Sequence, residues 1–128
     1  MTEPCIKNIE SHMLIEFDGL QHFTPTIWEK ITDLLLQRQE ALERLMLQHE
    51  YDIKKNRYAE ENKIPLLRIR YDQVDKIEEL VDDLLERPEW YIINHNKEYP
   101  NEADYYAPFY ENVEKYRVKS QKLQVATA

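Results

Sequence analysis

The sequence predicts an α/β domain in which a long crossover helix connects two parallel strands and a short helix follows the second strand. Three patterns predict it. Two short, mostly apolar runs, residues 12–17 and 64–71, have the length and composition of strands. Between Pro25 and Pro65 there is neither proline nor glycine, and Ile31, Leu34, Leu35, Leu42, Leu45 and Met46 recur at helical spacing. Beyond the second run, Val74, Ile77, Leu80, Val81, Leu84 and Leu85 mark one side of an amphipathic helix over 74–86. Strand, helix, strand, helix calls for a parallel pair with a right-handed crossover. Both strands then present their carboxyl ends at one edge, where open α/β sheets place their ligands.

The first strand runs into Glu-Phe-Asp-Gly-Leu-Gln-His-Phe at 16–23, which holds Gly19, the one glycine of the 128-residue chain. A glycine here either ends the strand in a plain turn or permits a close backbone approach. Thr26, with Glu29 three residues on, makes a capping box at the start of the helical region. One long helix or two consecutive ones must fill 27–61. Its leucine-rich stretch, 34–47, can bury against the domain's own sheet or serve a partner, either a second copy or another protein. Pro65 suits a strand beginning, and Pro88 ends the second helix. From Glu89 the composition changes: Trp90, Tyr91, Tyr99, Tyr105, Tyr106, Phe109, Tyr110 and Tyr116 stand among polar residues. This divides the chain into a domain over 1–88 and an aromatic, polar extension over 89–128. The extension is expected to wrap the domain or stay partly unfolded rather than to stack nucleic-acid bases.

A hydrophobic content of 42 % permits one real core in a chain of this length. The single cysteine, Cys5, builds no disulfide, which points to a reducing compartment. No apolar run approaches the ~20 residues of a membrane span, and the N-terminus lacks a signal pattern. The expectation is an intracellular protein, cytoplasmic or nuclear, or virus-encoded and made in the cytosol, without a membrane partner. The net charge of −8 argues against binding nucleic acid by bulk attraction. It leaves room for a nuclease, whose metal site is itself carboxylate, because the acid crowds elsewhere, at Asp75, Glu78, Glu79, Asp82, Asp83 and Glu86.

Two clusters carry chemistry. Glu16 and Asp18 are two apart on a strand, so both side chains leave one face, with Gln21 and His22 just past the turn. Two carboxylates at a strand end are a usual way to hold Mg²⁺, which activates water and stabilises phosphoryl transition states. Asp52, Lys55, Asn56 and Ala59 lie on one helical stripe that can face the strand ends, where a lysine would steady an anion. A solvated charged face is the plainer reading. Arg68, among apolar neighbours on the second strand, reaches either a phosphate or Asp52. Neither Glu16 nor Asp18 is expected in the core.

Together the clusters are more specific. Ile15-Glu16-Phe17-Asp18-Gly19-Leu20-Gln21-His22-Phe23 resembles the I-E-x-D-G-x-Q-H-F signature of small PD-(D/E)xK-superfamily endonucleases. These are near the very-short-patch repair and homing-type enzymes frequent in phage and large DNA viruses. Asp52, Lys55, Asn56 and Tyr58 resemble their D-x-x-K-N-x-Y. Asn62, Ile64, Leu66, Leu67, Arg68, Ile69 and Tyr71 resemble N-x-I-x-L-L-R-I-x-Y. The likeness covers residues 12 to 86. The family's upstream D-F pair has no counterpart at 3–6, so the expected fold is a truncated restriction-endonuclease-like core. The resemblance implies cleavage of DNA with Mg²⁺ or Mn²⁺. Glu16 and Asp18 would be the metal ligands, Gln21 and His22 a polar rim, and Asp52 and Lys55 the helix pair of the catalytic set. The alternative is the same fold without catalysis, binding a protein through 34–47 and the aromatic extension.

Overall fold

The computed structural model describes residues 12–25 and 34–127. Strands β1 (Leu14–Asp18) and β2 (Leu66–Arg70) pair in parallel, in register from Leu14↔Leu66 to Asp18↔Arg70. Helix α1 (Leu34–Glu61) connects them and runs unbroken, as the lack of proline and glycine allows. It ends where Lys63 takes a left-handed backbone (φ 55°) and Ile64 N–H donates to Ala59 O at 2.8 Å. Pro65 then opens the pairing as an acceptor: its carbonyl receives Leu14 N–H at 2.9 Å, so its missing donor costs nothing. The α/β architecture with a parallel pair is thus present. The proposed capping box, Thr26 with Glu29, lies outside the described residues.

The sheet has two different faces. Leu14, Glu16 and Asp18 with Leu66, Arg68 and Arg70 look toward α1. Leu67 and Ile69 look toward helix α2 (Ile77–Glu86), whose Leu80 and Leu84 pack on them with Tyr91. All five residues of β2 are buried, and its outer edge is covered too. Arg68 N–H donates to His95 O, and the Asn96 amide donates to Arg68 O, both at 2.8 Å.

The second helix begins three residues later than its pattern suggests. Residues Tyr71–Lys76 form 3₁₀ turns, because the Gln73 side chain takes the Arg70 N–H at 2.9 Å and Gln73 leaves helical angles (φ −114°). Leu80 and Leu84 of α2 are buried against the sheet, with Val81 packed partly buried beside them. Val74, Ile77 and Leu85, expected on the same side, are exposed.

The aromatic region folds as a turn at Pro88–Ile92, a short helix α3 (Glu102–Tyr105) and a helix α4 (Ala107–Thr127). Its rings are core material. Tyr105, Tyr106, Phe109 and Val113 pack with Phe23 and with Leu45 of α1. The His49 ring stacks on Phe109 with centroids 3.9 Å apart, and Asn112 donates to Phe23 O at 2.9 Å. Residues 105–113 therefore share one core with residues 23 and 45, across the boundary drawn at residue 88. Within 34–47, Leu42 and Leu45 pack in that core, while Met46 and Leu47 are exposed. Among the described residues, no helix is long and apolar enough to cross a membrane.

Candidate functional site

The site forms at the carboxyl end of β1. Strand alternation sends Glu16 and Asp18 to the α1 face. The chain then winds through a 3₁₀ turn, Leu20–His22, closed by His22 N–H to Gly19 O at 3.0 Å. One helical turn on from Asp18, His22 comes back over it, with Nδ1 3.6 Å from Oδ1. Gly19 is extended (φ −68°, ψ 176°), and a Cβ added there would meet only the Gln21 side chain, its Oε1 at 2.6 Å. Glycine's conformational freedom is not called upon, and no close backbone approach depends on it.

From α1, Asp52 and Lys55 reach the same edge. His22 Nδ1 lies 2.8 Å from Asp52 Oδ2, and Lys55 Nζ donates to Glu16 Oε2 at 3.2 Å. Asp18, His22 and Asp52 each offer a ligand atom within 4.8 Å of the others. Glu16 stands outside this group. It is engaged with Lys55 at the exposed rim, nearer the middle of the strand. Gln21 also stays at the surface and lines an adjacent groove.

The centre of the site is Arg68, 1 % exposed, with Asp18 fully buried beside it and Asp52 at 2 %. Its Nη1 donates to both Asp18 oxygens, at 2.9 and 3.0 Å, and its Nε donates to Asn56 Oδ1 at 2.6 Å. Its Nη2 donates to Asp52 carbonyl O at 3.1 Å, and Nη1 lies 3.9 Å from Asp52 Oδ1. Of the two options for Arg68, phosphate or Asp52, neither is its main engagement; the partner is Asp18. The expectation that Asp18 stays out of the core fails for the same reason. A counter-charge and a tyrosine O–H, Tyr105 to Asp18 Oδ2 at 2.8 Å, make its burial tolerable.

The electrostatics follow from burial and pairing. Loss of water pushes the Asp18 carboxyl above its ordinary value, against the opposing pull of Arg68 and the Tyr105 hydrogen bond. Burial works to lower His22, but the Asp52 hydrogen bond and charge, with Asp18, outweigh it and hold the imidazole above its usual value. Burial, with the Asp18 charge next to it, drives the Tyr105 phenol up, so it remains a donor.

Two carboxylates and an imidazole this close together could hold a metal ion. Each carboxylate oxygen has two lone pairs. Asp52 Oδ1 accepts from Gln48 Nε2 at 3.1 Å, and its Oδ2 bonds His22, so capacity remains on both oxygens. Asp18 Oδ2 is filled by Arg68 and Tyr105, and His22 Nδ1 is engaged with Asp52, so an ion here would take over the His22–Asp52 bond or use the other ring nitrogen. Arg68 already brings positive charge to the same carboxylates, so binding is expected to be weak.

Neither a family model, nor a curated protein, nor a solved structure matches this chain. The site thus stands on its own geometry. Three of its members were not among the expected site residues. Asn56 was visible on the Asp52–Lys55 stripe, and Arg68 in its apolar setting. Tyr105 gave no signal, because nothing in its surroundings connects it to a strand 87 residues away.

Proposed function

We propose that this chain is a divalent-metal-dependent DNA endonuclease with a restriction-endonuclease-like core, its chemistry centred on Asp18, His22 and Asp52. One observation carries the reading: three chain segments bring an O, O, N donor set together at the carboxyl edge of a parallel strand pair. Support also comes from the resemblance of residues 15–23 and 52–58 to nuclease motifs. Asp18, Asp52 and His22 would hold Mg²⁺ or Mn²⁺, which when bound supplies an activated water and charge neutralisation at a phosphate. Arg68, Asn56 and Tyr105 fix the Asp18 carboxylate in place. Asp52 orients the His22 ring through Nδ1. Lys55, half exposed and held over the rim by Glu16, offers a positive charge to a phosphodiester arriving from solvent.

A second reading has one observation in its favour. Arg68 sits where it neutralises both carboxylates, as an internal cation in a fold without catalysis. Its aromatic protein-docking surface has lost ground, since Tyr105, Tyr106 and Phe109 are spent in the core.

Manganese titration followed by electron paramagnetic resonance, with cleavage assays on duplex, single-stranded and branched DNA, separates the two. The nuclease reading expects metal-dependent cleavage, reduced on the order of a hundredfold or more in Asp52→Asn. Wild-type protein that neither binds manganese nor cuts any of the three substrates ends that reading and leaves the inactive fold.

A further inference from the structure

Among the described residues, β1 pairs with β2 on one side and with no strand on the other. Leu14 N–H donates to Pro65 O, so the backbone groups of Leu14, Glu16 and Asp18 turn toward β2. By alternation those of Met13, Ile15 and Phe17 turn outward along the free edge. The side chains of Ile15 and Phe17 lie on the α2 face, beside Leu67 and Ile69, and are 52 % and 50 % exposed. The strand, Leu-Ile-Glu-Phe-Asp, carries none of the lysines or prolines that ordinarily blunt a sheet edge.

Helix α2 flanks this face without covering it. Its Glu79 bonds Lys97 and its Asp83 bonds Tyr91, so that side of the helix follows residues 91–97 along the outer edge of β2. Val81 stands two residues from each, about 200° around the helix. It packs, partly buried, in the cluster that Met13 of the other strand's approach also joins. The Val81 side therefore borders β1, and Leu85, one turn on, is exposed there. Ile15, Phe17 and Leu85 form an open apolar step between the helix and the strand edge.

We propose that a second copy of this chain fills the step, β1 pairing antiparallel with its partner's β1 about a two-fold axis at Ile15. The outward backbone groups of residues 13, 15 and 17 match in that register. Ile15 exchanges both bonds with the partner's Ile15, Met13 faces the partner's Phe17, and Glu16 faces the partner's Leu14. An axis at Glu16 would set two glutamates directly opposite, and an axis at Phe17 would set Glu16 against the partner's Asp18, pairings that like charge disfavours. The joined sheet has four strands, with the two β2 strands ~14 Å apart, three spacings of ~4.8 Å. Helices ~10–12 Å wide over those strands bring their Val81–Leu85 sides together above Ile15 and Phe17. A lone extended peptide would satisfy the edge and leave Leu85 open, so self-pairing covers more of the exposed apolar surface. The proposal does not depend on the endonuclease reading.

Sedimentation velocity of the full chain tests it, in salt that screens the repulsion between copies of net charge −8. With rising concentration the wild type should move to twice the chain mass of 15.6 kDa. Ile15→Glu sets two charges against each other on the axis, and Phe17→Glu sets one against the partner's Met13. Both variants should stay at the monomer mass and keep the far-ultraviolet circular dichroism of the fold, since both positions are half exposed. Oxidation in a Cys5→Ser chain reads the register. Ile15→Cys meets its own copy across the axis, where Cα atoms of a bonded pair lie ~5.5 Å apart, and should give covalent dimer. Phe17→Cys lies four residues out of register with its own copy, ~13 Å along the strand, and should not. A wild type that stays monomeric at every concentration, a dimer that both glutamate variants keep, or cross-linking through Phe17→Cys in preference to Ile15→Cys overturns the proposal.

Discussion

Replacing Arg68 with methionine removes a charge that is almost entirely buried and engages three residues at once. Asp18 would keep only the Tyr105 O–H and the longer approach of His22, while Asn56 Oδ1 would lose its donor. Breaking a buried ion pair from one side costs about 3–5 kcal/mol, because the other charge is left behind. Domains of this kind are stable by about 5–15 kcal/mol in all. Divided by a urea m-value of ~1–3 kcal/mol/M, the loss lowers the unfolding midpoint by at least about 1 M. The loss also has a pH signature. Burial already raises Asp18 above its unfolded value, so the folded state takes up a proton more readily than the unfolded one. Such a group loses stability as pH rises from its unfolded pKa through its folded pKa, and regains it on acidification. Without Arg68 the carboxyl rises further, so the gap between Arg68→Met and wild type should narrow as pH falls from neutral toward 4. Adding Asp18→Leu should recover much of the loss, a coupling that a double-mutant cycle reads directly. A variant within about 1 kcal/mol of wild type at neutral pH, or a gap independent of pH, would refute the central role given to this pair.

Other outcomes follow from the same geometry. Gly19→Ala should be neutral or stabilising by about 0.4–1 kcal/mol by urea unfolding, since its extended backbone suits alanine and only the Gln21 side chain must swing away. Tyr105→Phe should cost about 1 kcal/mol, keep the fold, and alter manganese affinity by freeing one acceptor on Asp18. Glu102 is depressed: burial pushes it up, but hydrogen bonds from Arg57 and Asn56 prevail. Its stabilising share is present above its unfolded pKa of ~4.3 and fades as pH falls through the lower folded value, so Glu102→Gln should flatten the acid limb of a thermal-stability profile. Deleting 89–128 should abolish the near-ultraviolet circular dichroism of the packed core, because Phe23 and Leu45 lose the rings they pack against.

Much of the frame is legible in the sequence because periodicity has a direct geometric meaning. Alternation placed Glu16 and Asp18 on one face, and the 52–55–56–59 spacing placed Asp52, Lys55 and Asn56 on the stripe that faces them. Two short parallel strands with an uninterrupted helix between them leave few other arrangements. What periodicity does not carry is the identity of partners. Asp18 and Glu16 share a face, yet one is sealed by Arg68 and Tyr105 while the other lies at the rim with Lys55. That difference depends on depth along the strand and on residues 50 and 87 positions away. Arg68 reads as reaching a phosphate or Asp52, because its spacing on β2 does not show that Asp18, Asn56 and the Asp52 carbonyl converge on it and make its burial tolerable. The 89–128 region is expected to wrap the domain or stay partly unfolded; its rings at 105–109 do pack on the domain, but no pattern in them says that Phe23 and Leu45 are their partners.

The bond from Tyr105 to Asp18 has a consequence in time. During synthesis β1, α1 and β2 emerge well before the residue that completes the acid's surroundings. At 5–20 residues per second, 87 residues amount to roughly 4–17 s of elongation. Through that interval Asp18 lacks its wall, and for the last 37 residues of it Arg68 does too, while the apolar side of α1 has no α4 to meet. A nascent or C-terminally clipped chain thus carries the motif without the site, and any chemistry at Asp18 awaits the last third of the polypeptide.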